Sequence, residues 1–270
     1  MKIRTRRRCP WRAILLASLA SFLPALALGL DTTPAGPYAT VLRKHTQATS
    51  DLAGTRVDYG ALVRNPLWQR VIADLEKTPL DSLRTREEKL AFWINAYNLY
   101  AIDWMVRKHP VQSIRDIGNF FRPVWKRTVG RIGGKDRSLD EIEHAILRPL
   151  GEPRVHGAIV CASLSCPPLR RTPFEAASLG AQLDEQMRVW LENPRKGAAF
   201  DRTARRLGLS RIFDWFAADF VAAGGTLRFI GPYLAPDDRA WLASHPDDVT
   251  IYFLPYDWAS NGVATTGKEN

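Results

Sequence analysis

The stretch from Arg154 to Leu169, RVHGAIVCASLSCPPL, brings one histidine and two cysteines within eleven residues. Imidazole and thiol at such range support three kinds of chemistry. A thiolate at Cys161 or Cys166, with His156 as its base, would be a nucleophile for hydrolysis or acyl transfer, and backbone N–H groups near Ser163 to Cys166 would hold the oxyanion. Joined to each other, the two sulfurs would close a small loop and leave His156 as a hydrogen-bonded core residue. As metal ligands, His156, Cys161 and Cys166 would have four residues between each pair. That spacing departs from the close cysteine pair of zinc sites, so no metal and no cofactor is assigned.

Other residues qualify by type and place. Asn95 and Asn98 are three apart in the apolar run Phe92 to Asn98 and share a helix face. A buried amide without partners costs about 1–3 kcal/mol, so each must bond to backbone, water or ligand. Asp257, in Tyr256-Asp257-Trp258-Ala259-Ser260-Asn261, would orient a histidine as a third triad member or begin a turn. Glu141 and His144 have the Glu-x-x-His spacing of metal-binding bundles, though one copy of so short a motif is more simply an exposed helix face. His109 and His245 precede prolines at expected helix ends, where an imidazole meets the last carbonyls.

The elements that must position these groups are announced by their ends. Thr85 to Glu88, Ser138 to Glu141 and Thr172 to Glu175 have capping-box spacing, and Pro173 suits a first helical position, so helices are predicted to begin near residues 86, 139 and 173. The second and third should stop near Arg148-Pro149 and Asn193-Pro194. The first, Arg86 to Lys108, is apolar nearly all round at Phe92 to Asn98 and should be buried. A fourth, Arg211 to Ala223, should end at Gly224-Gly225. Strands are predicted at Val155 to Cys161 and Val249 to Leu254, with hairpins in Val124 to Ile132 leading into Gly133-Gly134 and in Ala198 to Leu209. In a straight strand His156 and Cys161 would face opposite ways, and Gly157 would mark a bulge or a close backbone approach. Helices with scattered hairpins predict an α+β fold, one mostly helical domain over 38–262, after a linker at 30–37 and before a tail at 263–270.

The charge is a property of one end. Of 38 Lys and Arg, six (Lys2, Arg4, Arg6, Arg7, Arg8, Arg12) precede residue 30, where no acidic residue occurs. Without them 32 basic residues face 28 acidic ones, a net +4 in place of +10. Those six lead into an apolar run from Ala13 to about Leu28, the layout of an export signal at 1–29, with cleavage expected after Ala27 or Gly29. The run falls short of the roughly 20 residues of a membrane span, and Pro24 interrupts it. The expected product has no stable membrane span and is periplasmic or secreted. Cys9 would leave with the signal, so Cys161 and Cys166 would meet an oxidising compartment as a pair. No nucleic-acid partner is expected, since the mature charge is modest, and no phosphate-cradling or dinucleotide glycine motif is present.

Taken in order, Val57-Asp58-Tyr59, Phe92 to Asn98, Ser138 to His144, Arg154 to Leu169 and Tyr256-Asp257-Trp258 with Asn261 resemble the family catalogued as domain of unknown function 547, found in exported bacterial proteins and some multidomain plant proteins. Gly157, where that pattern often has an aromatic, and Ser260, where it has leucine, depart from it. The resemblance implies that His156, Cys161, Cys166, Asn95, Asn98 and Asp257 belong to one recurring constellation. Two functions follow as expectations. One is a thiol-dependent hydrolase or acyl-transfer enzyme, in which either cysteine attacks, His156 is base, an asparagine orients or holds an oxyanion, and Asp257 supports. The other is a non-catalytic periplasmic binding or assembly protein with a structural Cys161–Cys166 disulfide, its ligand unknown.

Overall fold

The computed structural model describes residues 29–246 and 248–264. The expected export signal, with Cys9, lies almost entirely outside them, as does most of the expected tail. The fold is α+β and mostly helical, with three small sheets. Its axis is the helix Arg86–Arg107, capped at Thr85 by the full capping box with Glu88. Every side chain from Leu90 to Val106 on it is buried. The helix therefore runs through the middle of the molecule, wrapped on all sides.

The turns Tyr59–Leu62 and Glu141–Leu147 pack directly on it, and the helices Pro37–His45 and Pro66–Glu76, the antiparallel pair Thr46–Ala48/Thr55–Val57 and the hairpin Gly130–Ile132/Lys135–Arg137 contribute to the same apolar core. A second apolar cluster forms where the helix Leu179–Leu191 meets the C-terminal third, with Trp190 stacked on Phe213 at 5.0 Å and Phe220 beside it. There the hairpin Ala198–Asp201/Arg206–Leu209 takes Thr250–Phe253 as a third, parallel strand. The expected hairpin in Ala198 to Leu209 and the expected strand at Val249 to Leu254 thus form one sheet.

Three sequence expectations are corrected by named interactions. The first concerns Thr172–Glu175, where no helix begins. Asn95 Nδ2 donates to Phe174 O (2.8 Å), and Phe174 N–H donates to Asn95 Oδ1 (3.0 Å). Glu175 N–H is taken by Gln182 Oε1, whose amide donates in turn to Pro173 O. Those groups are held in an extended conformation with Phe174 buried, so the α-helix is displaced to Leu179–Leu191. Tertiary partners took the donors that the capping box was to satisfy.

The second concerns Val155–Cys161, which is no strand. Val155–Ala158 is a single helical turn, and the chain becomes extended only at Ile159. Asn98 fixes that change: its Nδ2 donates to Ala158 O (3.0 Å) and its Oδ1 accepts from Val160 N–H (2.7 Å). The strand alternation that set His156 opposite Cys161 therefore does not apply. Gly157 does mark a close approach, because a Cβ there would lie 2.6 Å from Met187 Sδ on the Leu179–Leu191 helix.

The third is the helix expected over Arg211 to Ala223, which is split. Ile212–Trp215 and Ala217–Ala222 are separated at Phe216, and the chain ends its turn at Gly224 and Gly225 with φ of 96° and 98°, as a left-handed stop requires.

Asn95→Ala or Asn98→Ala leaves a buried N–H and a buried C=O unpaired. Each should cost about 2–4 kcal/mol, measured as a fall in the urea midpoint at unchanged slope. A change within a few tenths of a kcal/mol would show that water replaces the clamp.

Candidate functional site

Tyr97, Glu143, His156, Ile159, Cys161, Cys166, Phe216 and Tyr256 converge on one cleft of about 90 Å³, walled by Trp125, Trp215 and Trp258. It lies at the seam of the two apolar clusters. The space admits a side-chain tip or a few waters. A larger open depression of about 660 Å³, bordered by Asp51, Arg170, Arg171 and Arg195, contains none of these residues.

At its floor Cys161 and Cys166 are joined as a disulfide, with Cα atoms 6.3 Å apart. The two sulfurs are not equivalent. Cys161 is half-buried and its Sγ lies 3.2 Å from Ser163 Oγ and 3.4 Å from the Tyr256 hydroxyl, whereas Cys166 is buried and its Sγ accepts from Cys161 N–H (3.0 Å) and from the same Tyr256 hydroxyl (3.2 Å). Ser163 Oγ donates to the Tyr256 oxygen at 3.1 Å, which completes a short relay onto Cys166. Burial raises the Tyr256 hydroxyl above the ordinary tyrosine range, so it remains a neutral donor.

The loop between the cysteines is held from two sides. Ala162 sits at φ 60°, a conformation a non-glycine residue adopts at a cost, and its carbonyl accepts from Asn261 N–H. Leu164 N–H bonds to Ala259 O and Ser165 N–H to Asp257 O, which lays residues 257–261 against the loop. From beneath, buried Lys196 Nζ donates to Ala53 O, Leu164 O and Cys166 O. Burial lowers that ammonium to about 7.

His156 is buried with both ring nitrogens directed at carboxyl groups. Nε2 lies 2.7 Å from Asp219 Oδ2, and Nδ1 lies 3.9 Å from Glu143 Oε1. The ring stacks under Phe216 at 4.1 Å, which accounts for the helix break there. Asp219 is gripped on both oxygens by Arg148 (2.7 and 2.8 Å), and that bonding holds its carboxyl down at about 2. With Asp219 ionised, Nε2 carries the shared proton. Burial nevertheless lowers His156 to about 4, while burial of Glu143, opposed by a hydrogen bond from Tyr97 (3.3 Å), raises that carboxyl to about 7. Glu143 thus keeps a proton that His156 gives up.

Of the residues singled out by sequence, His156, Cys161 and Cys166 meet in the cleft. Asn95 and Asn98 clamp backbone behind it. Asp257 does not approach His156: it is exposed, and its carboxylate closes a turn by accepting from Ala259 N–H. Glu141 pairs with Arg137, and His144 lies 3.0 Å from Arg148, so the Glu-x-x-His pair shares no ion. Among the described residues no group of three or more His, Cys, Asp or Glu is arranged to hold a metal.

Asp219 and Glu143 are the carboxyls that face His156, and neither was expected there. Asp219 had no signal, since its partners Arg148 and His156 lie 71 and 63 residues away. Glu143 was hidden by helix period: Glu141–Leu147 is a π-helical turn, and its wider pitch buries Glu143 with Ile142 and Leu147.

Residues 80–191 match the family model described as protein of unknown function, DUF547. The resemblance carried by the motifs is therefore shown over the segment that contains Asn95, Asn98, Glu143, His156 and both cysteines. That description assigns no activity, and Asp219 and Tyr256 lie beyond the matched stretch. No curated protein and no solved structure matches the chain.

The raised Glu143 has a signed consequence. Between its ordinary value of 4.5 and about 7 the folded chain binds a proton that the unfolded chain has lost. Its contribution to stability therefore falls as pH rises through that window. Glu143→Gln removes the titration. The variant should gain on the wild type by up to about 1.4 kcal/mol per pH unit from pH 4.5 to 7, read from urea midpoints at matched pH. A difference that does not grow with pH would place the proton elsewhere.

Proposed function

We propose that the chain is an exported thiol–disulfide exchange protein, with the Cys161–Cys166 disulfide as its resting, oxidising form. One observation carries this reading: both sulfurs line the cleft, Cys161 is the more exposed residue, and it is Cys166 Sγ that accepts a backbone N–H, with the Tyr256 hydroxyl within reach of both sulfurs. Attack by a thiolate on Cys161 expels Cys166, and a leaving thiolate is expelled faster when donors stabilise its charge. The Cys161 N–H and the Tyr256 hydroxyl are placed to do so.

The substrate class is a dithiol on an exported protein. Its first thiolate attacks Cys161 Sγ, the Cys161–Cys166 bond breaks and a mixed disulfide forms. Its second thiolate then attacks the substrate sulfur of that bond and releases Cys161. The substrate leaves oxidised by two electrons, the protein pair is reduced by two, and the two substrate protons end on Cys161 and Cys166. Protonated Glu143, lining the same cleft, is a local proton source. The hydrolase or acyl-transfer reading needs a free thiolate with His156 as base. The joined sulfurs, and the engagement of His156 with Asp219 and Glu143, count against it.

A second reading has its own support. The tryptophan walls and the many bonds that hold the cysteine loop suit a binding or assembly protein with a structural disulfide. Native protein titrated with dithiothreitol and quenched with an alkylating agent separates the two. Exchange predicts reduction without denaturant, and Tyr256→Phe should slow it about tenfold, the loss of one hydrogen bond to a charged sulfur. A disulfide that yields only after unfolding would overturn exchange and leave binding.

A further inference from the structure

The exposed aromatic pair Phe120-Phe121 belongs to no part of the site described above. Both rings are almost wholly exposed, at 93% and 89%, and they pack edge to face on each other at 5.5 Å. Burying such a side chain is worth more than a kcal/mol, so a soluble surface has no use for two side by side. The loop tip is built: Asn119 Oδ1 accepts from the Phe121 and Arg122 N–H groups, and Asn119 N–H donates to Arg122 O. Both rings are thus presented by a closed turn.

Its flanks are basic. Arg115, Arg122, Lys126 and Arg127 stand against a lone acid, Asp116, in residues 115–127. Among the described residues none of these four cations is ion-paired. Arg127 instead donates to Ile117 O, and Arg115 lies over the Trp258 ring at 5.2 Å. Trp125 and Trp258, 5.8 Å apart at the base of the loop, are also walls of the cleft.

We infer that this loop docks the protein on an anionic lipid bilayer, with Phe120 and Phe121 entering the acyl region and Arg115, Arg122 and Lys126 meeting headgroup phosphates. The shape decides the occupant. A convex apolar tip ringed by cations, with tryptophans at its base, fits a soft, negatively charged interface where indoles settle at headgroup level. A protein partner would have to supply a pocket shaped to this protruding tip, whereas a bilayer accepts it without one. Docked so, the cleft would open beside the membrane surface. The inference is independent of thiol exchange and would survive its failure.

The test is hydrogen exchange of the full chain, read on peptides covering residues 115–127, with vesicles of phosphatidylcholine alone or mixed with phosphatidylglycerol. A loop-local readout is needed because the apolar run Ala13 to Leu28 would itself hold the chain on lipid. Slowed exchange in the loop with anionic vesicles is expected, absent with neutral ones. Phe120→Ser/Phe121→Ser should weaken that protection by roughly tenfold or more, and Arg115→Gln/Arg122→Gln/Lys126→Gln should abolish its dependence on lipid charge. Unchanged exchange with anionic vesicles, or protection that survives the phenylalanine changes, would overturn the proposal. Protection by polyglutamate and not by vesicles would also overturn it, and would give the loop to an acidic protein partner.

Discussion

Two asparagines on a buried helix hold the backbone from which the cleft is made. Asn95 and Asn98 each give one hydrogen bond to a carbonyl and accept one from an N–H, on Phe174 and on the Ala158–Val160 step. Neither amide touches the cleft. Their effect is to keep two segments out of regular secondary structure, and in the apolar interior an unpaired amide or backbone group is costly enough to outweigh local preference. Because the Ala158–Val160 step leads directly into Cys161, the clamp at Asn98 also decides where the disulfide faces.

The cleft is a meeting of two apolar bodies whose seam is lined with titratable groups. Burial acts on Glu143 and His156 in the same sense, towards the uncharged form, while Arg148 lets Asp219 remain ionised beside them. Between about pH 4 and 7 the result is a neutral acid and a neutral imidazole next to a carboxylate that is already satisfied. Desolvation dominates at both, since each is almost out of water; at His156 it outweighs the adjacent Asp219 carboxylate, which Arg148 already engages. The disulfide lies on the same cleft, with the Tyr256 hydroxyl near both sulfurs and a backbone N–H on the inner one.

Much of the fold was legible along the chain. The capping box at Thr85 and the all-round apolar run from Phe92 marked the central helix and its burial, and the paired glycines at 224 and 225 marked a stop. These signals are local, so no distant residue had to be known. The box at Thr172 failed for the opposite reason: Asn95 and Gln182, 79 and 7 residues from their backbone partners, offered those groups a better arrangement. Phe216 likewise breaks a helix that its own neighbours favour, in exchange for stacking on a histidine sixty residues earlier in the chain.

Sequence by itself determined where groups capable of chemistry stand together: His156, Cys161 and Cys166, close in the chain and followed by Pro167-Pro168. It also located the excess charge ahead of residue 30, and it brought the family resemblance. Only the tertiary structure decided the partners. Asp219, not Asp257, meets the imidazole, and Glu143 is turned inward by a π-helical widening. Tyr256 reaches the sulfurs from 90 residues away. Residue type and short spacing are properties of the chain. Which carboxylate meets which imidazole depends on how separate elements pack, and no local pattern encodes that.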